Sequence, residues 1–239
     1  MTTWLQGKVV NILQESPSVK RFFIEIPAVN CFNFKAGQFV TFDLPVGEKR
    51  LQRWRSYSIA NAPNNGNVIE LCIVKVEMGL ASTYFFQKVA IGTILKFKGP
   101  EGTFCLPEIV DHDTVMICTG TGVAPFRSII NDVLDKGFVI NLHLIFGCRT
   151  VADILYRAEF EELARKNVNF TYDVCLSREK VADLYFGYVH DVYMSKYKDA
   201  KANTRFYICG WNKMIDETVE NLIVKMGCSR SQVLYELYG

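Results

Sequence analysis

The chain has 239 residues, 49% hydrophobic and 22% charged, with 27 basic against 25 acidic side chains and a formal net charge of +2. This composition belongs to a folded protein and excludes a disordered one, and basic residues spread among acidic ones argue against nucleic-acid binding. No run approaches the ~18 unbroken apolar residues of a membrane helix, and MTTWLQGKVV lacks the basic-then-apolar order of a signal peptide.

Up to about residue 105 the chain reads as short strands broken by turn residues. KVVNILQ (8–14), KRFFIEI (20–26), GQFVTFDLP (37–45), SYSIA (56–60), VIELCIVKV (68–76) and TILKFKG (93–99) are the candidates. Six such strands predict a small antiparallel β-barrel. One helix interrupts them in GLASTYFFQKVAIG (79–92), with Ser82 or Thr83 as its expected cap and Gly92 just past its end.

After a connector around Pro107 the pattern changes to strands alternating with helices. TVMICTG (114–120) leads into the amphipathic VAPFRSIINDVLDKG (123–137), then INLHLIFG, YRAEFEELARK, NFTYDVCLS, RFYICG, NKMIDETVENLIVKMG and a final VLYELYG. Unbroken apolar strands between helices predict an α/β domain with a parallel sheet covered on both faces. The expectation is a two-domain chain, an antiparallel β-barrel over 1–105 followed by an α/β parallel-sheet domain over 106–239.

Eight cysteines at 31, 72, 105, 118, 148, 175, 209 and 228 form no close pair and no zinc or iron–sulfur spacing. Several sit in apolar runs, where a reduced thiol acts as a small hydrophobe. Reduced thiols favour a reducing compartment, and a cytoplasmic protein is expected. The histidines His112, His143 and His190 show no ligand spacing, so no metal is expected.

Two stretches carry chemistry. Thr119-Gly120-Thr121-Gly122-Val123-Ala124-Pro125 stands where a parallel strand ends and a helix starts, where glycines let backbone N–H groups approach a pyrophosphate. Pro125 replaces the third glycine of the dinucleotide fingerprint, so the stretch reads either as a phosphate loop or as a tight strand–helix turn. The acidic residue that would accept the ribose hydroxyl of NAD is absent after the next strand. Cys148-Arg149 stands there, and Ser177-Arg178-Glu179 ends the strand after it. Two guanidinium groups at adjacent strand ends lean toward the 2′-phosphate of NADP. In the first half, RWRSYSIA (53–60) puts Arg55 and Tyr57 on one face of a strand, able to reach one ligand that carries a flat ring and an anion.

Together these stretches resemble the ferredoxin–NADP reductase family, over essentially the whole chain. The matching signals, in family order, are Arg55-Ser56-Tyr57-Ser58, Gly79-Leu80-Ala81-Ser82-Thr83, Gly99-Pro100-Glu101-Gly102, Gly120–Pro125, Ser177-Arg178-Glu179, Cys209-Gly210 and Glu236-Leu237-Tyr238. The resemblance implies an FAD-binding barrel and an NAD(P)-binding domain. Arg55 would pair with the flavin pyrophosphate, Tyr57 pack on the isoalloxazine and Ser58 lie near flavin N5. Ser82 would add its hydroxyl and helix-start N–H groups to the diphosphate, which favours FAD over FMN. Ile59, Val74 and Lys75 complete the implied flavin side. Cys209 and Gly210 would border the nicotinamide, with Met214 just beyond. Glu236 and Tyr238 look like the family's C-terminal carboxylate and flavin-covering aromatic, although Gly239 here follows the tyrosine. Tyr188 matches the residue that stacks on adenine. Phe186 stands where plant-type members often carry a cation, so NADPH over NADH rests on fewer charges.

The implied reaction is hydride exchange between NADP(H) and FAD, with single electrons passing to or from ferredoxin, flavodoxin or another one-electron carrier. Ser58, Cys209, Glu236 and Tyr238 are the residues implied at the reacting rings. Lys49, Arg50 and Arg53 near the flavin strand read either as a docking patch for an acidic carrier or as a solvated basic loop. The alternatives are an NADH-dependent reductase component serving an oxygenase, a flavin electron-relay subunit without nicotinamide turnover, and a non-catalytic two-domain binding protein that has lost its flavin.

Overall fold

The computed structural model describes residues 3–199 and 202–237. They divide into two compact units, one holding the residues up to Leu106 with Arg127–Asp132, the other Pro107–Phe126 and the residues from Val133 onward.

In the first unit the strands are β1 (Trp4–Ser16), β2 (Val19–Glu25), β3 (Phe39–Asp43), β4 (Trp54–Ser58), β5 (Val68–Val74) and β6 (Ile94–Glu101). They pair in the order β4-β3-β6-β1-β2-β5, each with an antiparallel neighbour. An Ile59–Leu71 bridge and the Ala60 N–H bond to Glu70 O (2.8 Å) join the two ends and close the barrel. Residues alternate as a half-buried strand requires: in β2 Phe22 and Ile24 point inward, in β6 Leu95 and Phe97. β1 is longer than its apolar pattern because it serves two partners, pairing β6 over Trp4–Lys8 and β2 over Lys8–Ser16, with irregular register after Val9.

α1 (Arg50–Arg53) is too short to leave a periodic signal, and α2 (Leu80–Gln87) plugs the barrel with Phe85. The Phe85 ring lies 5.1 Å from Phe22, 5.9 Å from Phe42 and 5.3 Å from Tyr57, in edge-on contacts. The start of α2 departs from expectation. Gly79 is the cap residue, and neither Ser82 nor Thr83 is. Ser82 lies inside the first turn, its hydroxyl accepting the Val76 N–H (3.1 Å) and donating to Val76 O and Gly79 O. The hydroxyl thus shapes the preceding turn instead of closing the helix. The helix also stops at Gln87, five residues before Gly92, whose φ of +92° belongs to the turn into β6.

The second unit contains β7 (Asp113–Thr119), α3 (Val123–Asp135), β8 (Leu142–Cys148), α4 (Arg157–Lys166), β9 (Phe170–Leu176), β10 (Tyr185–Phe186), α5 (Val189–Lys196), β11 (Thr204–Gly210), α6 (Asn212–Glu220) and β12 (Val233–Leu237). The sheet is parallel throughout, in the order β10-β9-β8-β7-β11-β12. The chain therefore steps outward from β7 in one direction and, from β11 on, in the other. The switch falls beside β7, and in open α/β sheets the crevice at the carboxyl ends of such strands is where ligands sit. Val115, Ile117, Ile145, Phe206 and Ile208 form the core with Val192, Tyr193, Ile215 and Leu222 from the covering helices. β10 and α5 lie outside the predicted elements. A two-residue strand has no period to read, and VHDVYMSK, although its buried Val189, Val192 and Tyr193 fall at helical spacing, spans barely two turns, too short for the pattern to stand out.

At the opposite, amino-terminal end of this sheet, His143 on β8 joins Asp173 on β9 (Nε2 to Oδ2, 2.8 Å) and the Tyr197 hydroxyl (2.8 Å to Nδ1). Lys196 Nζ donates to the same Asp173 oxygen at 2.5 Å. Burial alone would push the Asp173 carboxyl up, but the His143 and Lys196 hydrogen bonds outweigh it and hold the group below its ordinary range.

Candidate functional site

On the barrel, β4 carries Arg55 and Tyr57 on one face and Ser56 on the other. Ser56 Oγ lies 3.0 Å from the Thr41 hydroxyl, which donates to Glu101 Oε2 at 3.1 Å. This residue supports the strand rather than the Arg55 face. Arg55 Nη1 donates to Trp54 O (2.7 Å) and to Leu51 O, which fixes the guanidinium against α1. Its other nitrogens have no partner among the described residues and keep the planar fork available for an anion. Tyr57 is half-buried between Phe42 and Phe85, and that burial pushes its phenol well above the ordinary range, against the opposing pull of Arg55. The ring is therefore a neutral flat surface. Ser58 is buried, and Ile59 is buried at the barrel-closing bridge.

Beside this strand, β5 ends at Val74, and Lys75, itself exposed, donates its N–H to Ser18 O at 2.7 Å. The turn to α2 passes through Met78 in a left-handed conformation (φ +56°). A Cβ on Gly79 would stand 2.7 Å from Ser82 Oγ and 3.1 Å from Val76 Cβ, so the hydroxyl fold-back needs glycine there. With the Ser82 hydroxyl engaged and its residue buried, what this helix start offers a diphosphate is backbone N–H groups at Leu80, Ala81 and Ser82. Thr83 N–H makes the first helical bond, to Gly79 O (2.9 Å).

Of the basic residues near this strand, Arg53 is not simply solvated. It pairs with Asp43 (Nε to Oδ1, 2.9 Å), and Arg50 lies over the Trp54 ring at 4.1 Å.

In the second unit, Gly120–Gly122 form a 3-10 turn between β7 and α3, with Thr119 capping it by backbone alone and Pro125 buried in the first turn of α3. Gly120 has φ +54°, a conformation that favours glycine. Gly122 lies directly beneath the end of β11, where Gly210 in turn leaves no room for a Cβ. Such an atom would stand 2.4 Å from Thr119 Oγ1 and 2.8 Å from the Met214 methyl. Thr121 is half-buried between the two glycines. The carboxyl ends of β7 and β11 thus meet backbone to backbone, with small residues and a helix start facing the switch point. This fits an extended anionic dinucleotide.

Cys209 is fully buried and registers with Cys118 on β7 and with Glu236 on β12, so all three share one face of the sheet. Burial pushes the Cys118 thiol well up, and Cys148 and Cys175 up to about 12, so these are neutral packing groups. All eight cysteines are thiols. Glu236 is half-buried on the edge strand, and Tyr238 lies outside the described residues.

The loops after β8 and β9 are tied together. Arg178 donates its N–H to Arg149 O (2.9 Å), and Ser177 donates both its N–H (3.0 Å) and its hydroxyl (3.2 Å) to Cys148 O. Arg149 and Arg178 are exposed, and neither guanidinium has a hydrogen bond or ion pair among the described residues. Alongside, β10 pairs Phe186 with Leu176, and Phe186 (59% exposed) and Tyr188 (67% exposed) present two aromatic rings to solvent. Trp211, absent from the residues selected on sequence grounds, lies at the carboxyl end of the same sheet, after β11 and beside Thr119. Trp211 N–H reaches Thr119 Oγ1 at 3.4 Å. A tryptophan directly after Cys209-Gly210 was the available signal.

Residues 6–105 match the oxidoreductase FAD-binding domain family and residues 116–220 the oxidoreductase NAD-binding domain family. The chain is similar to ferredoxin–NADP reductase B of Sorangium cellulosum, 30% identical over 239 residues that cover 98% of this chain and 97% of that protein. It is also 30% identical to the phenol hydroxylase P5 protein of Acinetobacter pittii over 91% of this chain, but spans only 61% of that relative's length. A crystal structure of a ferredoxin NADP+ reductase from Neisseria gonorrhoeae with bound FAD and NADP has the same fold, with a TM-score of 0.83, 23% identity and 99% coverage of both chains. Among the described residues no helix is long and apolar enough to cross a membrane, and no cluster could hold a metal ion. An antiparallel FAD-binding barrel followed by a parallel-sheet NAD-binding domain, matched over nearly the full chain, makes this protein an oxidoreductase of the ferredoxin–NADP reductase family.

Proposed function

We propose that the protein is an NADPH-dependent flavin oxidoreductase that exchanges single electrons with a ferredoxin, flavodoxin or similar carrier, with a barrel domain over 1–105 and a nucleotide domain over 106–239. When bound, FAD supplies the step from two-electron hydride chemistry to one-electron transfer. Arg55 holds the flavin diphosphate from one side and the N–H groups of Leu80, Ala81 and Ser82 from the other, with Thr83, Val74 and Lys75 bordering them. Tyr57 packs on the ring, with Ser56 bracing the strand and Ser58 and Ile59 continuing it. Gly120, Thr121, Gly122 and Pro125 hold the dinucleotide backbone, Tyr188 its adenine, and Gly210 with Met214 behind it the nicotinamide end. Ser58, Cys209, Glu236 and Tyr238 orient the reacting rings. None acts as a nucleophile, in keeping with the buried, neutral state of the neighbouring thiols.

The observation that carries NADP(H) over NAD(H) is the Arg178–Arg149 backbone bond, which presents at adjacent strand ends two guanidinium groups that have no partner among the described residues. A second reading, an NADH-dependent reductase component of an oxygenase, is favoured by the likeness to the phenol hydroxylase P5 protein and to a toluate 1,2-dioxygenase electron transfer component of Pseudomonas putida (28% identical). Anaerobic titration of the flavin-loaded protein with NADPH and with NADH, following flavin absorbance, separates the two. Faster bleaching by NADPH supports the first reading and faster bleaching by NADH the second. No bleaching by either removes nicotinamide turnover.

A further inference from the structure

Trp211 is the cap residue of α6 and is fixed in its main chain on both sides. Its N–H donates to Thr119 Oγ1 at 3.4 Å, and its carbonyl accepts the Ile215 N–H at 3.1 Å. Its side chain, by contrast, is 62% exposed. Its exposure leaves both the ring face and the N–H of the indole available for a surface contact.

The indole overlooks one particular place. Apart from the chain neighbours and the backbone of its own helical turn, the heavy atom that a Gly120 Cβ would meet within 4 Å among the described residues is Trp211 Nε1, at 3.9 Å. The left-handed conformation of Gly120 disfavours any side chain at this position. Indole nitrogen donates and does not accept, and Nε1 has no acceptor among the described residues. An exposed indole donor thus stands beside the first glycine of the loop, and the group it suits is an anionic oxygen.

We propose that Trp211 is a dinucleotide-positioning residue whose indole N–H donates to the diphosphate of the nicotinamide dinucleotide seated over Gly120. This rests on the reading of Gly120–Pro125 as the nucleotide loop. Arg149 and Arg178, the proposed 2′-phosphate ligands, follow β8 and β9, on the far side of β7 from Trp211. The Trp211 contact is therefore indifferent to the 2′-phosphate and acts equally on both coenzymes. It differs in this from the arginines.

The test is calorimetric titration of the flavin-loaded full chain with NADP+, NAD+ and 2′-AMP, which carries the 2′-phosphate but no diphosphate. W211F keeps a ring and removes the donor. It is expected to weaken NADP+ and NAD+ by a common factor of about ten, the size of one hydrogen bond to a charged group, and to leave 2′-AMP binding unchanged. In steady state it raises the KM for NADPH and leaves kcat alone. Unchanged dinucleotide affinity in W211F, or an equal loss of 2′-AMP affinity, overturns the proposal. If the wild-type protein binds neither dinucleotide, the nucleotide reading itself fails and this inference falls with it, an outcome distinct from dinucleotide binding that is merely insensitive to W211F.

Discussion

A Cβ placed on Gly122 would lie 2.4 Å from the carbonyl oxygen of Cys209 and 2.8 Å from the Cα of Gly210. Both obstacles are main chain, so a substituted residue cannot be accommodated by turning a side chain aside. G122A must separate the ends of β7 and β11. A loss of about 1–3 kcal/mol in stability is expected, the usual cost of overpacking. NADP+ affinity should fall with it, while the barrel keeps its flavin. Thermal unfolding, calorimetry and the absorbance of the gel-filtered protein measure the three quantities. Wild-type NADP+ affinity in G122A would disconnect this contact from nucleotide binding.

Arg55 offers a planar fork of which one nitrogen is held by α1. R55A should emerge from gel filtration with most of its flavin lost. R55K keeps the charge without the fork and should retain an intermediate amount. The ratio of flavin to protein absorbance gives the result directly, and full flavin content in R55A would reassign the diphosphate to other groups.

Coenzyme preference should respond to Arg178 and Arg149 separately from overall activity. R178A is expected to raise the KM for NADPH about tenfold, one charge-assisted contact's worth, with the NADH value unchanged. R149A should act the same way. An equal effect on both coenzymes would place these arginines away from the 2′-phosphate.

Asp173 makes stability depend on acid. Its folded-state carboxyl lies below the ordinary value because the His143 and Lys196 hydrogen bonds outweigh burial. A depressed folded value contributes stability that is fully present above the unfolded value, about 3.9. That stability is lost as pH falls through the folded value. D173N should therefore be less stable than wild type by roughly 2 kcal/mol at pH 7, and the gap should close as the pH falls through the depressed folded value and the wild-type group takes up its proton. Denaturant unfolding at a series of pH values tests this. A gap of constant size would mean that the Asp173 charge contributes nothing.

Much of this fold was legible because its signals are local. The six barrel strands alternate and are punctuated by turns, and TVMICTG and RFYICG are apolar throughout because both faces of the parallel sheet are covered. What escaped is set by tertiary context. Ser82 looked like a cap, but its hydroxyl turns back to Val76, a choice fixed by how the preceding turn packs. α1 and β10 are shorter than any period. For the site, sequence alone brought Arg149 and Arg178 to neighbouring strand ends, but the bond between their backbones depends on the register of β8 and β9. Trp211 went unremarked because nothing in a sequence says that its indole will stand exposed beside Gly120.

That backbone bond bears on any attempt to redesign the enzyme for the other coenzyme. Because residue 178 hangs from residue 149 and Ser177 from Cys148, grafting a new loop at one strand end would drag its neighbour out of place. The workable unit of exchange is the pair of segments 148–150 and 177–179, transplanted together as one cassette.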